Sequence, residues 1–321
     1  MSRFSLWWII WNGSEYDSRM TFEGKKLSPS YKVVNAFKDR GFDRVVFLDS
    51  EGKEINYTGN GRKDGASLAL WISSRVSGLK YYVPIPFYKY GSGEPRDDPS
   101  DGFANSYWKD WIDGVLSIVD SDRLGFYWSY ESCLQATPHD EHNVREEFVR
   151  EMAEYIHNHG QELIWIPATG GRGVSYLNDP NYDGIPTIGG YFDYVFVQPN
   201  YYEYDTCIEE TNGDKQTLSY TYEKLVEKVR WVYEELPKKI KEHNPNSTTT
   251  VSMEMEADRA VLPDQCGHCA LGCDTEKCIE RACDYYKAIL EVNPSAFSTR
   301  AYYSDVDFKV IDMVRGKCPD W

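Results

Sequence analysis

The stretch GFYWSYE (125–131) reads as a β-strand that runs into an acid. Aromatic residues dominate it, Gly125 opens it and Glu131 closes it. Side chains alternate across a strand, so Tyr127, Ser129 and Glu131 share one face. Seven further runs of the same kind surround it: LWWIIW (6–11), RVVFLD (44–49), KYYVPIPF (80–87), ELIWIP (162–167), YVFVQPNYY (194–202), TTTVSMEME (248–256) and AFSTRAYY (296–303). They are rich in β-branched and aromatic residues and are bounded by Gly, Pro, Asp or Asn. Helical stripes lie between them. Val144, Phe148, Met152 and Ile156 form one. Leu225, Val226, Val229, Val232 and Leu236 form another, before Pro237. Ile279, Ala282, Cys283, Tyr286, Ile289 and Leu290 form a third, before Asn293-Pro294, and Phe308, Ile311 and Val314 mark a last short helix. The connection 170–193 is loop-like. Eight strand–helix units predict an α/β fold, a single (β/α)8 TIM barrel over 1–321, with a cysteine-rich loop at 259–283 after the seventh strand. An open doubly wound sheet would carry a glycine-rich phosphate loop after its first strand, and Asn12-Gly13-Ser14 is not one.

Active sites of such barrels form at the C-terminal strand ends. Those ends carry Trp11 and Asn12, Asp49, Phe87 and Tyr88, Glu131, Trp165, Gln198 with Asn200 and Tyr202, Glu254 and Glu256, and Tyr302 and Tyr303. The set is carboxylate, amide and aromatic, with no Ser nucleophile in an elbow and no phosphate cradle. Paired carboxylates are what glycoside hydrolysis requires: one protonates the leaving oxygen, and the other attacks the anomeric carbon or activates water. Glu131 and Glu254 are the expected pair, because an acid facing the buried helix layer would be costly. Glu256, Trp11, Asn12, Tyr88, Trp165, Gln198, Asn200, Tyr202 and Tyr302 are the expected substrate contacts. The competing reading makes the glutamates loop charges or helix caps, and for Asp49 and Asp258 capping or loop roles come first.

The pieces GFYWSYE, LIWIP, FVQPNYY and SMEME, in that order, resemble the glycosidase-like barrel family known as domain of unknown function 4855. One Glu after strand four and another on strand seven also resemble the large clan of retaining glycoside hydrolases. That resemblance implies Glu131 as acid/base and Glu254 as nucleophile, with Glu256 as the fallback. Where the clan carries an Asn before the acid/base, which bonds the sugar 2-hydroxyl, this chain has Tyr130.

The formal net charge of −16 argues against nucleic-acid or anionic-membrane partners, which an acidic surface repels. No run approaches the roughly 20 apolar residues of a membrane span. Aromatic residues make up 15% of the chain, and such rings suit the apolar face of a sugar, although packing accounts for most of them. A carbohydrate substrate is expected, with no cofactor. Five of eight cysteines fall in CGHCALGCDTEKCIERAC (266–283). The favoured reading is a disulfide-braced loop; the other is structural zinc held by Cys266, Cys269, Cys273 and Cys278 or His268. Cys133 and Cys207 are candidates for a further bridge. His139 and His142 read as solvated loop residues before a helix capped by Asn143, with a metal pair as the alternative. The cysteines tilt the localisation towards the extracellular side, the sequons at Asn12, Asn56 and Asn246 add little, and a cytoplasmic location stays open. A retaining O-glycoside hydrolase leads, against a non-catalytic carbohydrate-binding barrel and a metal-dependent hydrolase.

Overall fold

In the computed structural model, which describes residues 2–211 and 214–321, all eight runs contribute a parallel strand. These are β1 (Ser2–Trp11), β2 (Arg44–Leu48), β3 (Lys80–Ile85), β4 (Arg123–Trp128), β5 (Glu162–Trp165), β6 (Tyr194–Val197), β7 (Thr250–Glu256) and β8 (Thr299–Tyr303). Each pairs with the next, and β8 returns to β1 with Ser2 opposite Thr299 and Ser5 opposite Tyr302, so the barrel is closed. The end of β1 also pairs antiparallel with Tyr16–Ser18.

Alternation of side chains builds two cores. Phe4, Leu6, Val46, Leu48, Tyr82, Tyr127, Ile164, Ile166, Phe196 and Ala301 fill the barrel, with Trp8 and Tyr303 against them. At the N-terminal end Arg44 closes this interior, donating to Tyr82 Oη at 2.8 Å and lying 3.3 Å from Glu162. The alternate residues, among them Trp7, Phe47, Trp128, Trp165, Met253 and Met255, belong to the second core, under the helices. Gly125 is required by the barrel wall: a Cβ there would lie 1.9 Å from Glu162 O. It follows a register shift in which Tyr81 faces Arg123 but Tyr82 faces Gly125, leaving Leu124 as a bulge.

The outer layer comprises α1 (Ser30–Asp39), α2 (Gly61–Ser73), α3 (Tyr107–Leu116), α4 (Glu146–Asn158), the short α5 (Val174–Leu177) and α6 (Ile185–Ile188), α7 (Tyr222–Arg230), α8 (Leu236–His243), α9 (Thr275–Val292) and α10 (Phe308–Lys317). Three details depart from the sequence reading. Asn143 does not cap α4, which starts after Arg145; Asn143 takes a left-handed φ of 54°, and Asp140 instead accepts from Val144 N–H at 2.6 Å. The helix after β6 does not stop before Pro237. A π-helical turn, Trp231–Glu235, leads into α8, and Pro237 falls in its first turn, where a missing N–H is least costly. Strand β6 stops at Val197, since Pro199 removes a ladder donor and Asn200 turns left-handed at φ 55°. Beyond it a hairpin pairs Thr206–Thr211 with Asp214–Ser219.

The cysteine-rich segment is covalently braced. Cys266 bonds Cys273, Cys269 bonds Cys278, and Cys283 ties α9 to Cys318 after α10. All four proposed zinc ligands are therefore consumed as disulfides. The candidate Cys133–Cys207 bridge does not form: both thiols are buried and free. Burial pushes the Cys133 thiol up to about 12, away from nucleophilic character.

Thiol titration of denatured, unreduced protein should accordingly find Cys133 and Cys207 and little else, and eight reactive thiols would contradict the pairing. The Cys283–Cys318 bridge spans a separation of 35 residues, so replacing both with Ser should cost about 2–4 kcal/mol in denaturant unfolding.

Candidate active site

The C-terminal mouth of the barrel holds a cavity of about 220 Å³. Leu6 and Leu48 reach it from the barrel core. Trp8 and Tyr303 supply the aromatic walls, with Ser50, Gln198 and Asn200 as neutral polar lining. Five glutamates complete it: Glu51, Glu131, Glu203, Glu254 and Glu256.

Glu131 lies three residues past β4, where bridges from Ser132 to Ala168 and from Ala168 to Gln198 extend the strand pairing. Tyr127, four residues earlier in the chain, donates its hydroxyl to Oε1, and Gln198 Nε2 donates to Oε2 at 2.8 Å. Burial, then the neighbouring Glu51, pushes Glu131 up to about 8, against these two donors. Its acid form is therefore held at neutral pH.

The two β7 acids have different surroundings. Glu256 is fixed on both oxygens: Asn200 N–H donates to Oε1 at 2.9 Å and Tyr285 Oη donates to Oε2. Glu256 thus anchors the left-handed turn at Asn200, whose Oδ1 in turn accepts from Gly170 N–H at 2.7 Å. Burial and Glu203 raise it to about 8. Glu254 is 2% exposed, and its Oε1 is buried with no hydrogen-bond partner. Burial, followed by Glu256, Glu131 and Glu203, raises it well above the ordinary range. Lys228 stands behind Glu256, outside the cavity, donating to Pro199 O at 3.0 Å, and burial lowers it to about 8.

Glu51 and Glu203 were not anticipated. Ser50 and Glu51 both take positive φ, 55° and 58°, and Gly52 follows at 104°. A Cβ at Gly52 would lie 2.5 Å from Tyr88 O, so the turn is pressed against the β3 loop. Strained backbone of this kind recurs at functional sites. It brings Glu51 Oε1 to 3.2 Å from the Glu131 amide, while Oε2 pairs with Lys53 at 3.4 Å. Asp49, just before this turn, is fully buried without a side-chain capping bond, and burial raises it to about 7. Asp258 does cap, accepting from Ala260 N–H at 2.9 Å.

Of the expected contacts, Gln198, Asn200 and Glu256 line the cavity with Glu131 and Glu254. The others lie elsewhere. Trp11 packs edge-on against Tyr16, and Asn12 caps an exposed turn through Ser14 N–H and Glu15 N–H. Tyr88 contacts His142 at 3.3 Å, outside the cavity lining. Trp165 points to the helix layer and donates to Tyr130 O. Tyr202 is buried against Asp258, and Tyr302 against Trp321. Trp8 and Tyr303 occupy the wall instead, because they share the inward face of β1 and β8. The signal was present: the parity that selected Glu131 and Glu254 also selects Trp8 over Trp11 and Tyr303 over Tyr302. His139 stacks on Tyr182, and among the described residues no three His, Cys, Asp or Glu side chains converge as metal ligands.

The profile of the family described as a domain of unknown function (DUF4855) matches residues 122–227, the segment from β4 to α7, in agreement with the sequence resemblance. An uncharacterised protein of Methanocaldococcus jannaschii is 29% identical, over 99% of this chain and 94% of its own length. Among solved structures, a β-glucosidase from Thermotoga maritima in complex with a substituted glucoimidazole is similar with a TM-score of 0.48, 10% identity and coverage of 85% of this chain and 76% of its own. A β-glucosidase from the fungus Humicola insolens in complex with glucose is similar with a TM-score of 0.46, 10% identity and coverage of 86% and 77%.

A carboxyl whose folded pKa exceeds its unfolded value binds more protons when folded. Its contribution to stability is present below the unfolded pKa and is lost as pH rises through the folded one. For Glu131 and Glu256 that window runs from 4.5 to about 8. Unfolding free energy should fall by at least ~1 kcal/mol between pH 5 and pH 8. Glu254→Gln should flatten that slope and stabilise the protein at pH 8, whereas stability that rises across this range contradicts the buried-acid description.

Proposed function

We propose that this cavity is the active site of a retaining O-glycoside hydrolase acting on an oligo- or polysaccharide. The supporting observation is the contrast between two glutamates of one small cavity, Glu131 half-buried and Glu254 buried. Glu131 is held by two donors and kept in its acid form, and Glu254 presents an unpartnered oxygen. In the first step Glu131 gives its proton to the glycosidic oxygen while Glu254 attacks the anomeric carbon; the C–O bond to the leaving group breaks and an ester to Glu254 forms. In the second, Glu131 takes a proton from water, the hydroxyl adds to the anomeric carbon, and the ester bond breaks. Retention calls for carboxyl groups about 5–5.5 Å apart in the sugar complex.

Positive charge developing on the sugar ring favours the ionised form of Glu254, offsetting the neighbours that hold it protonated at rest. Protons on Glu131 and Glu254 belong to a coupled pair, so the productive state is the one in which the pair retains a single proton. Tyr127 and Gln198 keep Glu131 aimed, and Glu256 holds the Asn200 turn rather than reacting.

One observation favours a non-catalytic carbohydrate-binding barrel. Tyr130 stacks on Phe87 with centroids 4.0 Å apart and donates to Asp140 at 2.7 Å, so it does not replace the Asn that bonds the sugar 2-hydroxyl in the clan. Turnover separates the two readings. Glu131→Gln and Glu254→Gln should each lower kcat on an oligosaccharide by about 10²–10⁴-fold with sugar binding retained. Tyr127→Phe, which removes a donor to the Glu131 carboxylate, should move the alkaline limb of the pH profile upward. Unchanged turnover in Glu254→Gln would remove the nucleophile assignment.

A further inference from the structure

A glycosidase needs two carboxylates, and this cavity has five. No Lys, Arg or His lines it among the described residues. Glu51 has its own cation on the rim, Lys53, and Glu256 is satisfied by Asn200 and Tyr285. That leaves Glu203 and Glu254 as the acids beyond Glu131 that face the cavity; Glu203 has the Asn200 side chain as a hydrogen-bond partner and His268 nearby, both favouring its ionised form, whereas Glu254 Oε1 is buried without any partner. A buried acceptor with no donor is costly, and a ligand that supplies the donor recovers that cost.

The lining is thus rich in carboxyl groups and, among the described residues, holds no cationic donor to balance them. A neutral sugar hydroxyl both donates and accepts. An ammonium has three donors and no acceptor, and matches ionised carboxylates in both charge and hydrogen bonding. A hard divalent cation would require several oxygens converging on one point, and no such group of three is present among the described residues. The cavity volume of about 220 Å³ is small beside the roughly 300–1,000 Å³ of drug-sized ligand sites, which suits about one sugar ring. Trp8 and Tyr303 supply aromatic walls for the ring's apolar face.

We infer that the sugar bound in this cavity carries a free amino group, a hexosamine unit in its ammonium form, with the ammonium held by Glu203 and the unpartnered oxygen of Glu254. The inference rests on the glycosidase reading for the identity of the ligand as a sugar, and on the acid excess for its charge. It also deepens the chemistry. The groups facing Glu254 are Glu256 on its own strand, Glu131 from β4, Glu203 from the loop after β6 and Tyr303 from β8. None of these favours its ionised form. A bound ammonium does, so a cationic substrate would help ionise the nucleophile that attacks it.

The test compares oligomers of β-1,4-glucosamine and α-1,4-galactosamine with their fully N-acetylated counterparts, at pH 7 and low salt. Binding is read by calorimetry on the Glu131→Gln protein, and hydrolysis is read on the wild type. At least one free-amine oligomer should bind ten-fold or more tighter than its acetylated form. That ratio should shrink on adding salt and collapse in Glu203→Gln on the Glu131→Gln background. Equal or tighter binding of the acetylated forms, or no binding of any free-amine oligomer, overturns the inference. Hydrolysis of an acetylated or neutral oligomer that Glu131→Gln abolishes would keep the glycosidase reading while removing the amino-sugar one. Selective amine binding without any turnover would do the reverse.

Discussion

The mouth of the closed barrel gathers two buried acids of one strand, Glu254 and Glu256, into the same cavity as a third, half-buried acid just past β4, Glu131. Much of the site's chemistry follows from how that charge is accommodated. Glu256 is accommodated structurally, by an amide N–H and a tyrosine hydroxyl, and fixes the turn that carries Asn200 and Glu203. Glu131 is accommodated by two donors and by retaining its proton. Glu254 is not accommodated by the protein at all on one oxygen. A fold that leaves a buried carboxyl oxygen unpaired gives up stability there, as functional sites commonly do.

The barrel itself was legible from alternation. Eight runs with inward and outward residues, separated by helical stripes, leave few arrangements other than a closed parallel sheet, and each run overlaps its strand. What was not legible concerns backbone turns. The π-turn that lets the helix pass Pro237, and the left-handed Asn143 and Asn200, depend on tertiary packing rather than on local pattern. The hairpin at Thr206–Thr211 and Asp214–Ser219 is a polar excursion whose strands carry little hydrophobic signal.

The candidate site divides in the same way. Glu131 and Glu254 were legible because strand parity and strand-end position both select them. Glu51 was not, because it reaches the cavity through three successive left-handed residues after β2. Glu203 was not, because it follows a strand that ends five residues earlier than the apolar run suggests. The aromatic wall was legible but misread: inward residues are set by parity along each strand, and Trp11 and Tyr302 face away where Trp8 and Tyr303 face in. Tyr130 occupies the place where the resembling clan has its Asn, and is buried in an aromatic stack with Phe87.

The central claim is that Glu254 attacks the anomeric carbon with Glu131 supplying the proton. Cyclitol epoxides and aziridines of gluco, galacto and amino-sugar configuration report on both at once, since ring opening by a carboxylate requires protonation of the departing oxygen or nitrogen. Peptide mapping after incubation with such a panel should find one ester, on Glu254, formed in the wild type and absent from Glu131→Gln. An ester on Glu256 or Glu203, or labelling of Glu254 that persists undiminished in Glu131→Gln, would contradict the account.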